Sequence, residues 1–134
     1  MSNNWVEDIH DMQTKYKTRE WVKDNPDKYY QFLNFRADFL QEELDETKRA
    51  IMAGDAEEIV DGLIDLCVVA IGTLDAFNVD GNKAWDEVLK ANMQKEVGVK
   101  ESRPNPLGLP DLIKPDGWEA PSHKGNYGDL PNDI

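Results

Sequence analysis

Two pairs of acidic residues stand out for their spacing. Glu43 and Glu46 are three residues apart, as are Glu58 and Asp61, so each pair projects from one helix face, one turn apart. With Phe39 as reference, Phe32, Arg36, Glu43, Glu46 and Ala50 all fall within roughly 60° of it. Glu43 and Glu46 therefore continue a stripe that carries two phenylalanines and ought to be buried. Glu58, Asp61, Asp65, Val68 and Gly72 share a stripe of a second, otherwise apolar helix. A carboxylate set into such a helix is costly unless it is paired or bound to a metal. Nearby basic residues are few: Arg36, Lys48 and Arg49, then none until Lys83. This deficit predicts a divalent cation among the acids, and all-oxygen ligation suits Mg²⁺ or Mn²⁺. Zinc is disfavoured, because His10, His123 and Cys67 show no ligand spacing.

Four helices are expected to position these groups. The first runs from about Asn3 to Tyr16, with Trp5, Ile9, Met12 and Tyr16 on one face. Asn25 and Pro26 introduce a second, which runs to about Met52 and stops near Gly54. Asp55 opens a third, with Glu58 at capping-box spacing, and it continues to about Phe77. Its residues from Ile59 to Leu74 are apolar nearly all round, which predicts a central position. The short "MAGD" turn would pack helices two and three antiparallel and bring the acidic pairs together. Asp80 or Asn82 can cap a fourth helix to about Lys95. From Gly98 onward lie six of the seven prolines, so no long helix forms there. No strand-like alternation of any length is present. The expectation is an all-α four-helix bundle completed by oligomerisation. Residues 1–97 form its helical domain, and 98–134 an extended proline-rich arm packing on that domain or on a neighbouring subunit.

A chain of 134 residues implies one domain. The net charge of −12 argues against a nucleic-acid polymer as partner. A phosphate ligand stays possible where a cation mediates. No apolar run of about 18 residues exists to span a membrane. The opening "MSNNWVEDIH" lacks a signal peptide's basic and apolar regions, and Cys67 is the sole cysteine. A soluble, cytoplasmic protein is expected.

"EELDE" at Glu42–Glu46 followed by "EIVD" at Glu58–Asp61 resembles the paired motif of the MazG-like all-α nucleoside triphosphate pyrophosphohydrolases. That pattern is E-E-x-x-E, then E-x-x-D, and eleven residues separate the two here, near the short end of the usual range. The resemblance continues through "DGLIDLCVVAIGTL", with Asp65 and Gly72, and through the Asn-Met-x-Lys element at Asn92, Met93 and Lys95. "KPDGWEAP" is similar to a segment that follows the helices in several members. The likeness spans roughly residues 30–121. The small size and long tail look most like bacteriophage members, a (d)GTP-hydrolysing MazZ type among them, which would place the protein in a host cytoplasm.

The resemblance implies hydrolysis of a nucleoside triphosphate between the α and β phosphates, with two or three Mg²⁺ or Mn²⁺ ions clamping the phosphates and activating water. It implies Glu43, Glu46, Glu58 and Asp61 as metal ligands, with Glu42 or Asp65 orienting or deprotonating the water. Lys95 would meet a phosphate oxygen, and Asn92 the sugar or a phosphate. Arg36 would serve the substrate or pair with an acid. An aromatic residue would stack on the base, with Trp5, Trp21, Tyr30, Phe32 and Trp118 available. The implied partners are a nucleotide and further copies of the chain, as a dimer or a dimer of dimers. dGTP or GTP is the first substrate expected; dCTP, dUTP or a damaged nucleotide comes next. A phosphoribosyl-ATP hydrolase is a related alternative, ranked lower because such members are more compact and lack the Trp-bearing tail. A different class altogether is a non-catalytic acidic helical protein that binds a basic partner.

Each of these residues also has an ordinary use. Glu58 stands where a helix N-terminus favours an acid. Asn92 and Lys95 suit a helix C-terminus. Gly72 permits close helix packing, and Phe32, Phe35 and Phe39 suit a core. Asp65 can instead tie down a lysine or a water. Trp118 either anchors the arm or lids a site. Cys67 suits the core, and His10 and His123 the surface.

Overall fold

Asn4 opens the first helix. Its Oδ1 accepts from the Glu7 backbone N–H at 2.8 Å, satisfying a donor that the first turn leaves free, and α1 runs Trp5–Tyr16. The computed structural model describes residues 4–99 and 107–132. The expected helix start at Asn3 and the arm positions 100–106, 133 and 134 lie outside the described residues. Two units divide the chain: Met1–Gly81 with Tyr127–Ile134, and Asn82–Asn126.

In the first unit Lys17 ends α1 in the left-handed conformation, with φ 58°, and a short helix α2, Thr18–Asp24, follows at once. The sequence gives little sign of α2, because seven residues are too few for a periodicity to show. A 3₁₀ turn at Pro26–Lys28 leads into α3, Tyr29–Ala53. Gly54, at φ 66°, stops α3, a backbone state glycine enters without a Cβ penalty. Asp55 then caps α4, Ala56–Ala76, its Oδ1 accepting from Glu58 N at 3.2 Å. The expected hairpin and its capping acid are therefore present.

α1, α2 and α3 all pack against α4, which holds the central position its apolar girth predicts. Val22, Ala76, Phe77 and Val79 form the buried core, bordered by Tyr29, Phe32, Leu33, Leu74 and Leu130. Phe77 meets Tyr29 and Phe32 edge-on at 5.4 and 5.6 Å, the arrangement ring quadrupoles favour. The face of α1 is rotated from expectation. Ile9 and Gln13 are buried, whereas Trp5, Met12 and Tyr16 are exposed. Polar anchors decide this: Gln13 Nε2 donates to the Gly72 carbonyl at 2.9 Å. His10 Nδ1 lies 2.7 Å from Asp75 Oδ1, and Arg19 Nη1 lies 2.5 Å from Asp75 Oδ2. Asp75 is thus a buried carboxylate held by an arginine and a histidine, and His10, exposed as expected, reaches it from the surface. The segment Tyr127–Ile134 returns to this unit, where Asp129 N donates to the Phe77 carbonyl at 2.7 Å and Asn78 Nδ2 to Asp129 Oδ2 at 2.8 Å.

The second unit holds most of α5, Gly81–Met93, and two short strands. β1, Glu96–Gly98, pairs antiparallel with β2, Asp111–Ile113. This sheet departs from the expectation of no strands. Three residues per strand are too few for alternation to be legible, and the pairing partner lies beyond a proline-rich stretch. Trp118 Nε1 donates to the Ala91 carbonyl at 2.7 Å, which ties the arm to α5 within this unit. The His123 ring, expected at the surface, has its Nδ1 buried without a hydrogen-bond partner. No helix among the described residues is long and apolar enough to cross a membrane.

Candidate active site

The α3–α4 seam sets the site. Along α3 it runs through Arg36, Glu43, Thr47 and Ala50; along α4, through Gly62, Asp65, Val69, Gly72 and Ala76, all buried or half-buried. These spacings of three, four and seven are those of a helix face. Two contacts fix the register. Thr47 stands against Gly62, where an added Cβ would overlap the Thr47 hydroxyl. About three turns away along α3, Arg36 Nε donates to Thr73 Oγ1 at 2.9 Å and its Nη2 to the Val69 carbonyl at 3.1 Å. Between those points an antiparallel hairpin brings Glu43 opposite Asp65, and Glu46 opposite the Asp61 turn.

The electrostatics agree with that register. Desolvation raises the Glu43 carboxyl above its ordinary range, and repulsion from Glu46, Asp65, Asp61 and Glu42 pushes it further. Asp65 is raised by desolvation first, then by repulsion from Asp61, a side-chain hydrogen bond with Asp61 and repulsion from Glu46. Five carboxylates thus share one region, and the crowding raises Glu43 and Asp65 on the seam. No lysine or arginine forms an ion pair with them among the described residues.

The expected ligand set is brought together in part. Glu43 is repelled by Glu46, Asp61 and Asp65, and Asp65 by Asp61 and Glu46. Glu58 lies a turn nearer Gly54, exposed, at the start of α4. Burial is also less than the stripes suggested, since Glu42, Glu46, Glu58 and Asp61 are exposed in the single chain. The seam is turned slightly from the Phe39 stripe, so Thr47 occupies the buried position and Glu46 borders it. Among the described residues no three His, Cys, Asp or Glu side chains form a ready-made metal cage. The donor chemistry nevertheless fits a hard divalent cation: carboxylate oxygens only, crowded so that Glu43 and Asp65 are pushed above their ordinary range, without an ion-paired counter-charge among the described residues.

Other expected residues have clear surroundings. Arg36 spends Nε and Nη2 on α4, is desolvated enough to lower its pKa, and stacks near Phe32 and Phe39 at 5.9 and 5.8 Å. It meets no acid of the cluster through those nitrogens. Phe32 packs on Phe77 and, at 5.7 Å, on Trp21, as a core aromatic does. In the second unit Lys95 N–H donates to the Asn92 carbonyl at 3.1 Å. Lys95 Nζ sits 5.2 Å from the Trp118 ring centroid and Lys114 Nζ 5.1 Å from it. Lys114 opens the "KPDGWEAP" segment, but its sharing of the Trp118 ring with Lys95 gave no sign in the sequence.

The chain is largely α-helical, and its central hairpin gathers carboxylates with no ion-paired lysine or arginine among the described residues. It belongs to the phosphoribosyl-ATP pyrophosphohydrolase family, whose model matches residues 8–92, within the MazG-like nucleotide pyrophosphohydrolases. Members are typically dependent on a divalent metal. No curated protein matches the chain. The match runs from within α1 through most of α5 and includes the whole carboxylate hairpin.

Proposed function

We propose that the protein hydrolyses a nucleoside triphosphate between its α and β phosphates, giving a monophosphate and pyrophosphate. The observation that carries this reading is the carboxylate cluster on the α3–α4 seam, inside a span matched by a pyrophosphohydrolase family. Glu43, Glu46, Asp61 and Asp65, with Glu58 a turn away, would hold Mg²⁺ or Mn²⁺. When bound, such an ion supplies phosphate neutralisation and a water of lowered pKa. The chain's residues do the rest. Glu42 or Asp65 orients the water or takes its proton. Thr47, packed on Gly62, fixes the separation of the two helices. Arg36 holds the far end of the same seam. Asn92 and Lys95 are read as contacts to sugar and phosphate.

dGTP or GTP is the first substrate proposed, resting on the likeness to small bacteriophage members. That likeness is carried by the small size and the long tail, most of which lies outside the matched span. The second reading is phosphoribosyl-ATP, favoured by the family match itself. Both carry a triphosphate and would be cut at the same bond. Assembly into a dimer or a dimer of dimers is part of the proposal. α4 exposes Val60, Leu63 and Ile64 in the single chain, and apolar side chains grouped this way are commonly covered by a partner. A panel of nucleotides assayed for pyrophosphate with and without Mg²⁺ tests the activity. Release that persists in Glu43→Gln would remove the proposed site.

A further inference from the structure

The strands β1 and β2 pair Glu96 with Ile113, Val97 with Leu112 and Gly98 with Asp111. The same register, continued by one position, puts Lys95 opposite Lys114. Like charges directly across an antiparallel ladder repel. Here neither lysine forms an ion pair among the described residues. Both ammonium groups instead lie by the one indole, Trp118, at 5.2 and 5.1 Å from its centroid, so they stand at most about 10 Å apart. The indole is itself fixed by its bond to the Ala91 carbonyl. Its backbone N–H closes a turn on the Pro115 carbonyl at 3.0 Å.

Charge is also distributed unevenly. Asn82–Asn126 contains seven basic and seven acidic residues, so the entire net charge of −12 lies in the other unit. The paired lysines are therefore a local concentration of positive charge in an acidic protein, held by a ring rather than neutralised by carboxylates. Cation–π contact orders an ammonium group but leaves its N–H donors available to an anion.

We infer that Lys95 and Lys114, ordered by Trp118, form a clamp for a polyphosphate oxyanion, with Lys114 a binding residue and Trp118 a positioning residue. Resting on the hydrolase reading, the oxyanion belongs to the triphosphate or to the pyrophosphate it releases. Several oxyanions along one polyphosphate let both lysines engage the same molecule. Repulsion across the strand end is then relieved by binding.

Calorimetric titration of the full chain with inorganic pyrophosphate, in chelator-containing buffer so that no metal site contributes, tests the clamp. Lys114→Gln is expected to weaken binding about tenfold and to reduce its salt dependence. Lys114→Arg should restore most of the affinity, and Trp118→Leu should mimic the loss. The melting temperature of ligand-free Lys114→Gln should be unchanged or higher, because a repulsion has been removed. Absence of pyrophosphate binding by the wild-type chain, or affinity unaltered in Lys114→Gln, would overturn the clamp. A raised KM in Lys114→Gln supports it through the substrate, and weaker product inhibition with KM unchanged supports it through released pyrophosphate. Lys114-dependent pyrophosphate binding without turnover of any nucleotide would defeat the hydrolase reading and leave the clamp standing.

Discussion

Thr47 and Gly62 touch so closely that only a hydrogen fits at position 62. Thr47 is 2 % exposed, and its hydroxyl donates to the Glu43 carbonyl at 2.8 Å. This contact sets how near α3 comes to α4 one turn from Glu43. Replacing Gly62 with Ala forces the hydroxyl or a helix to move, at a cost of about 1–3 kcal/mol. Chemical denaturation should show that loss, with part of it recovered in the Thr47→Ala, Gly62→Ala double variant. Full stability in the single variant would mean that the seam is looser than described.

The acids on the seam should behave in opposite ways with and without metal. Glu43→Gln and Asp65→Asn remove carboxylates whose charged form burial and neighbouring acids disfavour. Stability of the metal-free chain should hold or rise, whereas Mg²⁺ or Mn²⁺ affinity should fall by at least about 100-fold. Thermal shift with and without added metal reads both effects. A variant equally destabilised in either condition would point to a structural carboxylate.

The hairpin was legible before the structure because its signals are local. Gly54 and Asp55 stop and start helices by their own chemistry, and the i, i+3 acids need only helical pitch to share a face. Which acid faces which was not legible. That depends on interhelical register, set by the absence of a side chain at Gly62 and by the reach of Arg36 to Val69 and Thr73. Helical projection alone paired Glu58 with Asp61, whereas the register brings Asp65 to Glu43. The buried Asp75 group was equally hidden, because His10 and Arg19 are 65 and 56 residues away in sequence. The sheet that places Lys114 opposite Lys95 depends on a pairing no three-residue strand announces.

Asp75 supports α1 and α2 from α4. Its side chain is 9 % exposed and that of Arg19 is 18 % exposed. Asp75→Ala leaves Arg19 without its carboxylate, and removing one partner of such a pair costs about 3–5 kcal/mol. His10→Ala should cost clearly less, since the His10 side chain is 54 % exposed. Equal losses in the two variants, measured by denaturant titration, would contradict this order.

The returning segment should matter to stability through Gly128. It has φ +54°, and a Cβ there would overlap the Phe77 carbonyl, the acceptor for Asp129 N–H. Gly128→Ala is expected to destabilise by more than about 1 kcal/mol, visible as a lower denaturation midpoint. An unchanged midpoint would show that Tyr127–Ile134 contributes little to the core at Phe77.

The central claim is that the α3–α4 carboxylates run a metal-dependent cleavage between the α and β phosphates. The most direct measurement incubates the full chain with dGTP, GTP, dCTP, dUTP and phosphoribosyl-ATP, with Mg²⁺ and with excess chelator, and separates the products. The account predicts equal amounts of monophosphate and pyrophosphate from at least one of them, lost on chelation and lost in Glu43→Gln. Release of inorganic phosphate with a diphosphate product, or pyrophosphate release that survives in Glu43→Gln, would contradict it.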